Sequence, residues 1–207
     1  MRDVAATSAV KVFGIGLNKT GTTTLGRMGA TLGLRCTSFS LELLEDVVRR
    51  RDFARVRETV ARFDLFEDWP WPLIYRELDA MYPGSKFVLT VRRSEQAWLA
   101  SLETHALKIH PWRHGRKLAY GYRYPQRHAR AHIDFYRRHN DAVRAYFKDR
   151  PDDFVELCWE RGDGYRELCA LLGRPAPDAP TPRANSAAAM PTRRTYYLAN
   201  RFLSLFG

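Results

Sequence analysis

Lys19 stands in a run of small and hydroxylated residues, Gly14-Ile15-Gly16-Leu17-Asn18-Lys19-Thr20-Gly21-Thr22-Thr23-Thr24, between an apolar stretch at Val12 and a helix-like pattern at Leu25. Gly14, Gly16 and Gly21 let backbone N–H groups approach an anion with no Cβ in the way, and a helix start supplies unpaired donors and a partial positive charge. Lys19 adds a mobile full charge, and the threonines add hydroxyl donors. The chemistry open to such a loop is the grip of a phosphate-like group. A Walker A loop carries a second glycine directly before its lysine, whereas this chain has Asn18 there.

A second apolar run, Lys86-Phe87-Val88-Leu89-Thr90-Val91, ends in Arg92-Arg93. A nucleoside-triphosphate site needs Mg²⁺, held by the loop Ser/Thr and an acidic residue at the end of a second strand. Two arginines in that place point instead to another anionic group of the same ligand neutralised by protein cations, with no metal required. As an isolated pair they read as a solvated turn; beside the Lys19 loop they read as a second half of one site.

Together these residues resemble the sulfotransferases that use 3′-phosphoadenosine-5′-phosphosulfate (PAPS). Lys19-Thr20-Gly21-Thr22-Thr23-Thr24 is similar to their Lys-Ser-Gly-Thr-Thr loop, which grips the 5′-phosphosulfate, so Asn18 to Thr24 become cofactor-binding residues with Lys19 also catalytic. Val91-Arg92-Arg93 running to Trp98 and Ser101 resembles their strand-end arginine and following serine, which bind the 3′-phosphate. The eight-residue spacing to Ser101 favours Arg93, and the strand register favours Arg92. Asp68-Trp69-Pro70 occupies the place of the segment that carries the catalytic histidine of cytosolic members, which implies Asp68 as the base, with Asp64 and Glu67 as rivals and a helix N-cap as its plain structural role. Gly162-Asp163-Gly164-Tyr165 leading to Leu168-Cys169, Gly173, Pro175 and Asn185 resembles the tail of a short bacterial-type branch, so the likeness spans about residues 10 to 186. It implies sulfuryl transfer from PAPS to an acceptor hydroxyl or amine, with 3′,5′-adenosine bisphosphate as product.

The elements that must position these residues follow from periodicity. Strands near 10–16, 63–66, 86–91 and 154–158 alternate with helices over 22–32, 41–61, 73–81, 95–106, 126–150 and 165–172. The alternation predicts an α/β three-layer sandwich, a parallel sheet flanked by helices in the manner of P-loop NTPases, with Lys19, Asp68 and Arg92 at carboxyl ends of strands. Residues 104–127 interleave rings and cations and read either as a solvated loop or as an acceptor surface, with Trp69, His105, Trp112 and Tyr120 as acceptor-binding candidates. His105, His110 and His114 lack a nearby carboxylate or cysteine to complete a metal set.

At 207 residues, 45% hydrophobic and 28% charged, the chain fits one domain: an extension at 1–9, a core at 10–173, a Pro/Ala-rich arm at 174–192 and an aromatic, basic end at 193–207. Thirty-four Lys and Arg against 23 acids give +11, spread without a polybasic block, which suits an anionic nucleotide and an acidic or lipid-associated acceptor. No nucleic-acid motif is present, although a basic nucleic-acid module is the alternative outside catalysis and a P-loop nucleotide or sugar kinase the alternative enzyme. Cys36, Cys158 and Cys169 read as reduced buried thiols, and with no leader or spanning segment the expected location is cytoplasmic. The end at Tyr196 to Phe206 reads as a helix packed on the domain or lying peripherally on a membrane, and Arg183, Arg193 or Arg194 stand in for a late arginine that closes over the 3′-phosphate.

Overall fold

The computed structural model describes residues 10–112, 115–182 and 192–206; the extension at 1–9, His114 and residues 183–191 of the Pro/Ala-rich arm, Arg183 and Asn185 among them, lie outside the described residues. In chain order the elements are β1 (Val12–Gly14), α1 (Thr22–Thr31), β2 (Cys36–Thr37), α2 (Leu41–Glu45), α3 (Ala54–Arg62), β3 (Leu65–Phe66) and α4 (Tyr75–Met81). They continue with β4 (Lys86–Thr90), α5 (Glu95–Lys108), α6 (Arg116–Tyr120), α7 (Ala129–Phe147), β5 (Phe154–Leu157), α8 (Tyr165–Leu171) and α9 (Arg194–Leu203). The strands form one parallel sheet in the order β2-β3-β1-β4-β5.

Alternation along the strands builds the three layers, because successive side chains of a strand point to opposite faces. Phe13, Phe66 and Phe87 share one face with Trp71, Val56, Val60, Leu78 and Phe147 of the following helices. Val12, Leu65 and Val88 share the other with Leu25 and Met28 of α1 and Leu168 of α8. The three phenylalanines are fully buried, each contributing about 1.5–3 kcal/mol, and they lie in register as Phe13 opposite Phe66 and Phe87. A third cluster, with Leu17, Trp69, Trp98, Tyr120 and Tyr136, sits under the carboxyl ends of the strands.

The expected continuous helix over 41–61 is broken. After α2 a wide turn at Asp46–Arg50 leads to Arg51 with φ 54°, and Asp52 Oδ1 accepts from Ala54 N at 2.8 Å to start α3. The cause is Asp46, whose carboxylate takes Arg50 at 2.5 Å and Arg55 at 2.9 Å and whose carbonyl accepts from Asp52 N. Residues 104–127 are likewise not an open loop: α5 runs to Lys108, α6 follows, and Arg116, Tyr120 and Tyr124 are buried. The long helix is shorter than expected, with Pro125–Arg127 a 3₁₀ turn and α7 starting at Ala129. β2 went unread because two residues carry no alternation. All three cysteines are unpaired, Cys36 only half-buried.

Gly16 is required by packing alone. A Cβ there would lie 2.1 Å from Thr90 Oγ1, 2.4 Å from Thr90 O and 2.7 Å from Thr90 N, so the exit of β1 can lie against β4 only without a side chain. Gly16→Ala should therefore destabilise the fold by about 2–4 kcal/mol, read as a lowered denaturation midpoint, while Gly33→Ala, with open space around its Cβ but φ 78°, should cost about 1 kcal/mol.

Candidate active site

The strand order reverses around β1, so the segments leaving β1, β3 and β4 emerge side by side at one edge of the sheet, with that leaving β5 next to β4. Lys19 follows β1, Asp68 follows β3, Arg92 follows β4 and Glu160 follows β5. The topology thus gathers four charged residues from across the chain.

The loop after β1 is held by its carbonyls. Ile15 O accepts from His139 Nε2 at 2.8 Å, Leu17 O from Thr20 Oγ1 at 2.6 Å, Asn18 O from Trp98 Nε1 at 2.9 Å, Lys19 O from Arg92 Nη1 at 3.4 Å and Gly21 O from Trp159 Nε1 at 3.1 Å. With these oxygens bonded to the surrounding protein, the amides of the loop and of the first turn of α1 are what it offers a ligand. Burial holds His139 down at about 4, so the ring is neutral at pH 7 and donates to the carbonyl. Lys19 at φ 68° and Gly21 at φ 94° take the left-handed turn into α1. Gly21 has a second reason to be glycine, since a Cβ would come within 2.4 Å of the Trp159 ring.

Side chains of the loop divide into two sets. The Asn18 side chain is buried and its Oδ1 accepts from Tyr120 OH. Thr20 is fully buried, its hydroxyl 2.6 Å from that of Thr90 at the end of β4, so it braces the loop from below and does not face a ligand. Thr22 bonds to Glu67, and Thr24 is buried at the start of α1. Thr23 is the more open threonine. The Lys19 ammonium is half-buried; burial lowers its pKa, Asp68 raises it, and Arg92 and Lys108 lower it again. Lys108, at the end of α5, is a site cation with no local sequence signal.

Asp68 has φ 68°, and its Oδ1 accepts from Trp69 N at 2.8 Å, so it caps no helix. By exposure the side chain is only partly covered, yet the chain crowds its carboxyl so densely that dehydration is the leading cause of a pKa pushed up to about 7; Glu67 adds to it, and the Trp69 amide and Lys19 oppose it. Its two rivals differ. Asp64 enters β3 at the opposite edge of the sheet, where two bonds of 2.8 Å from Arg35 hold its carboxyl well below the usual range. Glu67 is buried, raised by dehydration and bonded by Ser38 and Thr22.

Between the two arginines the structure distinguishes clearly. Arg92 is half-buried and reaches the Lys19 carbonyl, while its backbone N–H donates to Tyr136 OH at 3.0 Å. The Arg93 side chain is exposed. Glu160 ties both: its Oε1 accepts from Arg92 Nη2 at 2.6 Å and its Oε2 from Arg93 N at 2.7 Å. Burial alone would raise the Glu160 carboxyl, but these two bonds carry it below its ordinary value. Ser101 is half-buried three residues beyond Trp98, on the same side of α5. A cleft of about 550 Å³ opens beside Arg92 and Arg93, between α5 and α7. Its other arginines, Arg137, Arg144 and Arg161, are already paired, the first with Glu95 and the other two with Glu156.

The acceptor candidates do not form one surface. Trp69 and Tyr120 are buried and meet edge to face at 5.2 Å, so Tyr120 braces Asn18 from within the protein. His105 is half-buried one turn before Lys108 on α5. Trp112 is 63% exposed, and its ring neighbour is His110. Local pattern gave no sign of Trp159 and Glu160, whose partners lie 138 and 68 residues away. Among the described residues, no three His, Cys, Asp or Glu side chains group as metal ligands.

The raised pKa of Asp68 has a definite sign. A carboxyl near 3.9 when unfolded and about 7 when folded costs nothing below pH 4, a growing amount from pH 4 to 7, and the full amount above. Asp68→Asn should raise Tm by several degrees at pH 8, about 1–3 kcal/mol after discounting for solvent, and leave it unchanged at pH 4, as calorimetry would show.

A family model described as sulfotransferase domain matches residues 11–190, a span that includes every one of the four charged site residues. No curated protein matches the chain.

Proposed function

The chain belongs to the sulfotransferase domain family, and from that premise we propose that it moves a sulfuryl group from PAPS to a hydroxyl or amine of an acceptor. The observation that carries this reading is the bond between Arg92 and the Lys19 carbonyl, which joins two anion-binding elements into one site. A second anionic group on the nucleotide suits that pairing. Thr90 ends β4 with its hydroxyl bonded to Thr20, and Arg92 follows it where a metal-dependent phosphate site carries an acidic residue.

In this reading the nucleotide contributes a sulfuryl group whose bond to the 5′-phosphate oxygen breaks as the acceptor's bond to sulfur forms. Asp68 takes the acceptor's proton, a task suited to a carboxyl near 7. Lys19, with the amides of Gly21 to Thr23 and the Thr23 hydroxyl, neutralises charge on the leaving and equatorial oxygens. Arg92 and Ser101 hold the 3′-phosphate, and Arg93 contributes its backbone N–H. Glu160 must give up both of its donors to that phosphate, so it acts as the site's internal competitor.

Binding comes first among the tests. 3′,5′-Adenosine bisphosphate at about 100 times its Kd should raise Tm by about 5–10 °C without added metal, whereas ATP with Mg²⁺ or an oligonucleotide should not; stabilisation by the oligonucleotide alone rejects the reading. Asp68→Asn should cut turnover at least about 100-fold with nucleotide affinity unchanged, and wild-type kcat/KM should rise with pH through about 7. Glu160→Gln should tighten 3′,5′-adenosine bisphosphate and leave adenosine 5′-phosphate unaffected; weaker binding of the bisphosphate would mean that Glu160 orients Arg92 for the ligand.

A further inference from the structure

The helix α9 is fastened along one side only. Asn200 is fully buried, its Nδ2 donating to Leu107 O at 3.1 Å and Ile109 O at 2.8 Å while its Oδ1 accepts from Tyr124 OH at 2.7 Å. Tyr196, one turn earlier, lies against the His110 ring at 5.0 Å, and Ser204, one turn later, is also buried. At about 100° per residue, Leu198, Phe202, Leu205 and Phe206 fall on the opposite side of the helix and its closing turn. They are 56%, 63%, 58% and 75% exposed, and the Phe202 and Phe206 rings meet at 5.1 Å.

Charge decides what such a stripe meets. Arg194 and Arg201 project beside it, Arg193 lies at the start of the helix, and residues 192–206 contain no acidic side chain. Arg127 adds a further cation, donating to Leu205 O. A second copy of the chain would bring +11 against +11 and arginine rim against arginine rim. Four side chains also fall short of the roughly 20–30 residues a side that a stable protein interface uses, whereas a helix lying in a membrane surface needs only one apolar face with cations beside it. No helix among the described residues is long and apolar enough to cross a membrane.

We propose that the outward face of α9 docks on an anionic lipid surface, with Leu198, Phe202, Leu205 and Phe206 entering the headgroup boundary and Arg194 and Arg201 meeting the headgroup anions. The docked helix stands beside the site. Its anchor Asn200 bonds to the carbonyls on either side of Lys108, whose charge is felt at Lys19. An acceptor carried in the lipid plane is thereby brought near the loop after β1, a consequence that rests on the function proposed above, although the docking itself does not.

Co-sedimentation of the whole chain with vesicles tests the docking with no nucleotide present. Binding to mixed phosphatidylcholine and phosphatidylserine vesicles is expected, with little binding to phosphatidylcholine alone and loss in high salt. The pairs Leu198→Ser with Phe202→Ser and Arg194→Gln with Arg201→Gln should each weaken it about ten-fold or more, with Tm unchanged because all four side chains are exposed. Absence of binding to the anionic vesicles overturns the proposal, as does binding that neither pair weakens. A wild-type dimer in light scattering that the Leu198 and Phe202 pair makes monomeric, without vesicle binding, overturns it in favour of self-association.

Discussion

Five backbone carbonyls between Ile15 and Gly21 are hydrogen-bonded to side chains, and the site depends on that arrangement. A peptide unit whose oxygen is fixed has its N–H fixed as well, so the ring of tethers sets the direction of the loop's donors, with Thr20 the loop side chain that takes part. Indole and imidazole suit the role because each offers an N–H on a rigid ring that the core can hold. Trp98, for example, is fully buried and stacked on Tyr136 at 4.6 Å. The glycines follow from close packing around the same loop: Gly16 and Gly21 are the points where Thr90 of β4 and the tethering Trp159 come too close for a Cβ.

Around this frame the charges are arranged to be exchanged. Without an anionic ligand, Glu160 neutralises Arg92, and Asp68 and Lys19 stabilise each other's charged forms. In the proposed function, an incoming dianion competes with the first pair for Arg92. Under the proposed function, binding is a substitution of internal ion pairs by external ones, and the net affinity is a difference between two similar electrostatic terms. Under the same proposal the arrangement is selective, since a ligand lacking the second anionic group gains nothing from displacing Glu160.

What could be read from the sequence was whatever local chemistry announces. The Lys19 loop, the Arg92-Arg93 strand end and Asp68 each sit in short patterns whose residue types are unusual for any other purpose, and the alternation of apolar strands with helices gave the parallel sheet. The difference between half-buried Arg92 and exposed Arg93 needed the strand's actual end at Thr90 and the path of the Arg92 side chain back to Lys19. Trp159, Glu160 and Lys108 were invisible because each works on a partner far along the chain. The break after Asp46 was hidden for a related reason: amphipathic periodicity continues across it, and the interruption comes from one carboxylate gathering two arginines. The aromatic and basic residues of 104–127 looked like an open acceptor surface because composition cannot tell an exposed Tyr from one that donates inward, as Tyr120 and Tyr124 do.

The tethers on the loop also bear on how the protein reaches its native state. Four of the five carbonyls are held by side chains 73, 80, 124 and 138 residues further along the chain, at Arg92, Trp98, His139 and Trp159. Contacts of such sequence separation carry the largest loop-closure entropy and form late relative to helices and neighbouring strand pairs. During synthesis, the loop after β1 emerges first, and the side chains that hold its carbonyls follow as late as Trp159, behind β5. The geometry of the loop is thus set by the chain through Trp159, far beyond the segment in which its own residues lie.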